Sequence, residues 1–320
     1  MKIVLFDSDT VAYNGDIDLS VFSQLGELEI YKADDAAFTA ERIADADAVL
    51  CNKTMMTAEN MANAKSLKYV GLFATGYNNV DLEYCDKAGI TVCNAGSYST
   101  DAVAQHTFAL ILDRFSRVAE YNTLVQEGGW IKSPTFSPFV LPTEELAGKT
   151  IGIIGYGSIG RAVAEIALAF RMRVLVYNRS PKDDGRVEFV GLDSLLENSD
   201  IITAHCPLNE QSRGMFNKSA FDKMKQGAFF VNTSRGPVVD EAALKEALDS
   251  GKITAAVDVL EYEPMRADCP LYNEKGIVIT PHVAWAPLTT RQRLIGIVYD
   301  NLKRFMENKP QNVVNNPKER

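Results

Sequence analysis

Apolar residues along this chain alternate between two spacings. Short runs rich in Val, Ile and Leu are followed by longer stretches in which apolar positions recur at helical spacing. In the N-terminal third, Lys2 to Phe6, Leu28 to Tyr31, Ala48 to Cys51, Tyr69 to Ala74 and Thr91 to Asn94 read as strands. Helical patterns at Ala36 to Ala44, Ala58 to Ala64 and Leu82 to Ala88 lie between them. The alternation resumes with strand-like runs at Thr150 to Ile154, Arg173 to Tyr177, Asp200 to Ala204, Ala228 to Asn232, Ala255 to Val259 and Gly276 to Thr280. Runs that are apolar throughout suit strands covered on both faces, and strand–helix alternation predicts parallel sheets with helices on each side. The expected class is α/β, with two doubly wound parallel-sheet domains.

Two stretches depart from that rhythm. A single long helix is predicted from Asp101 to about Val125, capped by Ser99, Thr100 or Asp101, with Val103, Phe108, Leu110 and Leu112 suggesting burial on several sides. After it, Gly128 to Pro142 is rich in Gly and Pro and carries Trp130, Phe136 and Phe139. Aromatics in an irregular segment suggest a subunit contact or a lid, the alternative being an arm folded onto its own domain. The last amphipathic segment, Thr289 to Met306, is expected to return to the N-terminal domain. The expected division is therefore residues 1–100 with 288–320, and residues 101–287 with an arm around 121–142. Two chain crossings between the domains would form a hinge beside a cleft.

In the second domain, Gly155-x-Gly157-x-x-Gly160 directly follows the strand ending at Ile154 and opens the helical pattern Arg161 to Phe170. Alone the glycine pattern is weak; between a strand and a helix it indicates a dinucleotide-binding turn. Gly155 permits the tight turn, Gly157 lets backbone approach a pyrophosphate, and Gly160 lets helix pack close on strand. Tyr156, Ser158 and Ile159 complete the turn, and the helix N-terminus offers N–H groups to phosphates. This domain is expected to be of the Rossmann type. The N-terminal domain lacks such a turn and is expected to be a smaller, flavodoxin-like substrate domain.

Asn178 lies 23 residues after Gly155, where an NAD site would place Asp or Glu to accept the ribose 2′-hydroxyl. Asn178-Arg179-Ser180 offers instead a guanidinium and hydrogen-bond donors suited to a 2′-phosphate. The coenzyme expected is NAD(P)H, with a lean toward NADP(H). Dual specificity would follow if Arg179 points to solvent or stacks on adenine.

Composition narrows the class. At 320 residues with 46% hydrophobic content, the chain can build two substantial cores. A net charge of −9 with no basic cluster argues against a nucleic-acid partner. No run approaches membrane-spanning length, and Lys2 to Phe6 reads as a strand rather than a signal peptide. Cys51, Cys85, Cys93, Cys206 and Cys269 are odd in number and scattered, as expected of reduced thiols in a cytoplasmic protein. Without a Cys/His cluster, no metal site is expected.

The polar outliers sit just past strands of the second domain. Arg235 follows Asn232, Glu263 lies a few residues after Val259, and His282 follows Thr280. Open α/β sheets bind ligands at such carboxyl ends. Arg235 can bind a carboxylate bidentately and polarise an adjacent carbonyl. His282 is a natural proton donor near neutrality, and a Glu263 carboxylate beside it would favour imidazolium and orient the ring. With a nicotinamide, these groups suit hydride transfer between a 2-hydroxy acid and its 2-oxo acid. His205, at the end of the strand beginning at Asp200, is the reserve candidate; His106 lies within a helix and is weaker.

The ordered set Gly155-x-Gly157-x-x-Gly160, Asn232-x-x-Arg235-Gly236, Asp258 followed by Glu263-Pro264, and Pro281-His282 resembles the D-isomer-specific 2-hydroxyacid dehydrogenases over essentially the full length. The resemblance implies that Arg235 binds the substrate, that Glu263 pairs with His282 as acid/base, and that Asp258 contacts the nicotinamide carboxamide. Phe73 to Asp81, Tyr98-Ser99-Thr100-Asp101 and His282 to Ala286 look like the bacterial glycerate dehydrogenase group, also called hydroxypyruvate reductases. By that likeness, Thr75 and Gly76 amides grip the substrate carboxylate and Thr100 lies near the coenzyme. His205, Cys206, Pro207, Thr233 and Ser234, at strand ends, join the expected coenzyme contacts, and the Trp130 to Pro142 arm belongs to a homodimer interface. Glu263 departs from the glutamine of the related formate dehydrogenases. The chain ends near Arg320 without the regulatory domain of many phosphoglycerate dehydrogenases, which weakens a phosphorylated substrate.

The activity expected is NAD(P)H-dependent reduction of hydroxypyruvate, glyoxylate or a similar small 2-oxo acid to its D-2-hydroxy acid. Lactate or a bulkier acid is the alternative substrate. A dinucleotide-sensing binding protein, akin to corepressors of the same family, is the alternative class.

Overall fold

The computed structural model describes residues 1–180 and 184–318. Residues 1–99 with 286–320 form one unit, and residues 100–285 form a second. The first unit runs β1 (Lys2–Leu5), α1 (Ser8–Val11), β2 (Glu27–Ile30), α2 (Thr39–Arg42), β3 (Ala48–Cys51), α3 (Ala58–Met61), β4 (Tyr69–Leu72), α4 (Leu82–Ala88) and β5 (Thr91–Cys93). Its sheet has the order β2-β1-β3-β4-β5 with every ladder parallel. β3, β4 and β5 are buried at every position, as fully apolar runs predict. Val4, Val49, Val70 and Val92 pack with Ile43, Met61 and Leu67 in its core.

The second unit begins with α5 (Thr100–Ser116) and α6 (Val118–Gln126). It continues through β6 (Thr150–Ile154), α7 (Ser158–Ala169), β7 (Arg173–Tyr177), β8 (Glu188–Phe189), α8 (Leu192–Asn198), β9 (Ile201–Ala204) and α9 (Lys218–Lys223). β10 (Ala228–Asn232), α10 (Glu241–Asp249), β11 (Ile253–Val257) and β12 (Ile277–Ile279) complete it. The sheet order is β12-β11-β10-β9-β6-β7-β8, again parallel. Strands six to eight wind one way from the centre and nine to twelve the other. The order therefore reverses between β6 and β9, the switch point at whose carboxyl end ligands bind. Alternation of side chains divides the core: Phe230 and Ile202 pack on one face, Phe229, Val231 and Ile153 on the other.

The chain returns to the first unit as α11 (Leu288–Met306), burying Leu294, Ile295, Val298 and Leu302. Arg291 holds Asp16 with both Nη atoms, at 3.1 and 2.6 Å, and Arg293 donates to the Tyr98 carbonyl at 2.7 Å.

Three helical expectations need correction. The long helix from Asp101 to Val125 is two helices, broken at Arg117, whose backbone is left-handed (φ 51). The buried face ends with Phe115; α6 buries none of its residues, so packing no longer keeps the second segment in line with the first. Ala36 to Ala44 is a 3-10 helix (Ala33–Phe38) and the single turn α2, because Phe38 is exposed and only Thr39 and Ile43 turn inward from there. Ala58 to Ala64 is helical only through Met61. Strand bounds agree within about two residues, the usual uncertainty of element ends.

Candidate active site

The glycine turn occupies the switch point. Gly155 adopts φ 95, and a Cβ there would lie 2.7 Å from the backbone of His205 at the end of β9. A Cβ on Gly160 would collide with the Gly155 carbonyl, so α7 sits hard against the turn. Gly157 differs: nothing lies within 4 Å of where its Cβ would be. That open backbone at the start of a 12-residue helix fits a pyrophosphate. Tyr156 is buried, and its N–H donates to Asn178 Oδ1 at 3.1 Å. Asn178 in turn donates to the Ser180 carbonyl at 2.7 Å, so its side chain organises the loop rather than reaching outward. Arg179 and Ser180 are exposed, and Arg179 has no hydrogen-bond or ionic partner among the described residues. Tyr156 also donates its hydroxyl to Asp184 at 2.6 Å, and Arg186 pairs with the same carboxylate.

The candidate catalytic residues follow three neighbouring strands. Asn232, Val257 and Ile279 stand level at the ends of β10, β11 and β12. The buried Asn232 side chain ties the turn that launches Arg235. Its Oδ1 accepts from the Ser234 N–H and hydroxyl at 3.0 and 2.8 Å, and its Nδ2 donates to the Arg235 carbonyl at 3.0 Å. One Arg235 Nη atom is spent on the Ser234 carbonyl, leaving the rest of the fork available. The next residue must be glycine: a Cβ on Gly236 would overlap the Leu260 carbonyl at 1.8 Å. The Arg235 turn is thereby pressed onto the loop that carries Glu263, and Glu241 anchors that loop by accepting the Glu261 N–H at 2.7 Å.

Glu263 and His282 meet: Oε2 lies 2.6 Å from Nδ1, with about a quarter of the His282 side chain accessible. Nε2 is the ring atom left for a substrate. His282 holds φ 55, a left-handed conformation costing a non-glycine residue about 1 kcal/mol or more. Asp258, 1% exposed, holds it there. The Asp258 carbonyl accepts the His282 N–H at 2.7 Å, Oδ1 accepts the Val283 N–H and Oδ2 the Ala284 N–H, each at 2.9 Å. Thr280 donates its hydroxyl to Oδ1 at 2.5 Å. A carboxylate has about four acceptor sites, so Oδ2 keeps one for an amide donor such as a carboxamide.

The remaining predicted residues fall into three groups. Thr233 and Ser234 are buried beside Asn232, Thr233 bonded to Thr107 at 3.0 Å. Cys206 and Pro207 follow β9, and Thr100 opens α5. Thr75 and Gly76 belong to the first unit; Asn94 donates to the Thr75 carbonyl at 2.7 Å. Neither the Thr75 nor the Gly76 amide donates a hydrogen bond within the described residues, as a carboxylate grip requires.

His205 does not suit the proton-transfer role held in reserve for it. Both ring nitrogens are sealed from solvent without a partner among the described residues, although another part of the residue is accessible. Burial pushes its pKa from 6.5 down to about 3, so the ring is neutral at ordinary pH. Burial likewise raises the thiols of Cys85, to about 12, and Cys93, to about 11, and all five cysteines are free. Sequence reasoning passed over Thr280, whose position beside Pro281-His282 was the available cue, and ranked His106 low because it lies within a helix. Among the described residues there is no metal-ligating cluster and no helix long and apolar enough to cross a membrane.

The chain as a whole is similar to known proteins. The model of the D-isomer specific 2-hydroxyacid dehydrogenase NAD-binding domain matches residues 108–284. The chain is 41% identical to the hydroxypyruvate reductase of Blautia hydrogenotrophica, over 98% of this chain and 100% of that protein. A solved acyclic imino acid reductase in complex with NADPH and D-Arg is 30% identical with a TM-score of 0.87, covering 98% of this chain and 100% of that one. The D-lactate dehydrogenase of Aquifex aeolicus, complexed with NAD and lactic acid, is 27% identical with a TM-score of 0.85, over 96% of each chain. With the family model spanning the nucleotide-binding unit and the likeness running nearly end to end, this protein belongs to the D-isomer-specific 2-hydroxyacid dehydrogenase family.

Proposed function

We propose that this protein is an NAD(P)H-dependent reductase of hydroxypyruvate, glyoxylate or a similar small 2-oxo acid, yielding the D-2-hydroxy acid. The observation that carries the proposal is the 2.6 Å Glu263–His282 pair, whose members follow β11 and β12, the next two strands after the β10 that precedes Arg235. A bound reduced nicotinamide supplies the hydride. Arg235 binds the substrate carboxylate and polarises its carbonyl. His282 delivers a proton from Nε2 to the carbonyl oxygen, and Glu263 fixes the ring so that Nε2 faces outward. Asp258 would accept the carboxamide of that coenzyme, and the backbone from Gly155 to Gly160 would hold its pyrophosphate.

The likeness to a hydroxypyruvate reductase at 41% identity supports the small-acid reading. The absence of a carboxylate from Asn178-Arg179-Ser180, with an Arg179 guanidinium uncommitted among the described residues, supports acceptance of NADPH. Trp130, Phe136 and Phe139 are 53%, 91% and 91% exposed, an apolar surface that supports the arm as a homodimer contact. Five free thiols support a reducing, cytoplasmic setting.

A steady-state panel of hydroxypyruvate, glyoxylate, pyruvate and phenylpyruvate with each coenzyme tests the reading. Highest kcat/KM is expected for hydroxypyruvate or glyoxylate with NADPH. Pyruvate ahead of hydroxypyruvate by tenfold, about 1.4 kcal/mol in transition-state binding, would overturn the substrate assignment. Coenzyme binding with no turnover of any 2-oxo acid would favour a sensing protein instead.

A further inference from the structure

Polar chemistry behind the candidate catalytic histidine extends one residue further than the strand ends. His106, in α5, places Nε2 3.0 Å from the Thr280 hydroxyl and 3.5 Å from Asp258 Oδ1. Thr280 has one hydroxyl hydrogen, and it is committed to Asp258 at 2.5 Å. The Thr280 oxygen must therefore accept from His106, which fixes Nε2 as the protonated nitrogen. A directed chain results: His106 Nε2–H to Thr280 Oγ1, and Thr280 O–H to Asp258 Oδ1. Asp258 then receives three N–H groups from residues 282 to 284 through its carbonyl and carboxylate. At its far end stands the left-handed His282.

A buried carboxylate is costly unless its bonding is complete, and partly satisfied networks lose orientation. Without the His106 donor, Thr280 is free to turn its hydroxyl away from Asp258. Oδ1 then loses its shortest bond, and the conformation of His282 loses support. We propose that His106 is a positioning residue for the acid/base: it fixes the Thr280 hydroxyl toward Asp258 and so holds the His282 loop in register with Glu263. The catalytic consequence rests on the function proposed above; the structural chain does not.

Four variants test it. His106→Phe and Thr280→Val should each lower kcat for the preferred 2-oxo acid by about 10- to 100-fold, the scale of a displaced catalytic group, with KM and NADPH affinity within about twofold. His106→Gln, whose amide can donate to the same hydroxyl, should recover to within about threefold of wild type. The double variant His106→Phe/Thr280→Val should be no worse than the weaker single variant, because both break one chain. Equal damage from Gln and Phe, a kcat near wild type in His106→Phe, or multiplying losses would overturn the proposal. Diethyl pyrocarbonate labelling of His282, followed by mass spectrometry on the protein alone, provides a readout independent of turnover. The labelling rate should change at least about threefold in His106→Phe but not in His106→Gln; no difference between the two would also overturn it. Absent turnover in the wild type would defeat the function proposed above and leave this labelling comparison to decide the role of His106.

Discussion

Each unit buries an aspartate just beyond a strand of its sheet, and the two do different things. Asp7, after β1, is 2% exposed and itself left-handed (φ 61). Its Oδ2 accepts the N–H groups of Asn52, Lys53 and Thr54 at 2.9, 2.7 and 2.8 Å, and Oδ1 accepts the Thr54 hydroxyl at 2.8 Å. Asp258, after β11, also collects consecutive N–H groups and a threonine hydroxyl. The left-handed residue there is the partner, His282, and the loop it ties ends in an accessible imidazole–carboxylate pair. The same device is a closed structural knot in one unit and, in the other, the mount of the proposed acid/base pair. A buried aspartate is thus no signature of function; what its loop presents to solvent decides.

Substitutions can sharpen that contrast. The largest effect is expected beside the mount: Arg235→Lys should lower kcat/KM by about 100-fold, because an ammonium cannot reproduce bidentate contact, with thermal stability nearly unchanged. Next, Asp258→Asn should lower kcat by about tenfold or more, since an amide nitrogen cannot accept what the carboxylate accepts. Asp7→Asn should instead destabilise the protein by about 2–4 kcal/mol in denaturant titrations, yet leave kcat of the folded protein within about twofold. If Asp7→Asn depressed kcat as strongly as Asp258→Asn, the distinction between knot and mount would fail.

The smallest effect concerns His205. Its folded pKa of about 3 lies below the ordinary 6.5, so the unfolded chain takes the proton first as pH falls. Stability due to the neutral ring is complete above about pH 6.5 and drains toward pH 3, at up to about 1.4 kcal/mol per pH unit. Urea titrations at pH 7 and pH 5 should show a smaller loss for His205→Leu than for wild type. Identical losses would mean the ring is not held neutral.

Legibility from sequence followed the range of the interactions. Most strands were readable because they are largely apolar runs, and the glycine turn because its reasons are local: the positive φ of Gly155, the close packing of Gly160 on the Gly155 carbonyl and the open backbone at Gly157. Gly236 was readable only as part of a motif, since the backbone it must clear lies at Leu260. The break at Arg117 was hidden because Val118 and Val125, 69% and 39% exposed, continue an apolar rhythm through a helix that buries none of its residues. His106 and Thr280 are 174 residues apart, and no periodicity pairs a helix position with a strand end.

The most direct measurement is turnover by His282→Ala in the presence of added imidazole. Loss of kcat by about 100-fold or more is expected, with NADPH affinity retained and activity rising with imidazole concentration. A near-normal kcat without imidazole would contradict the assignment of His282 as the proton donor.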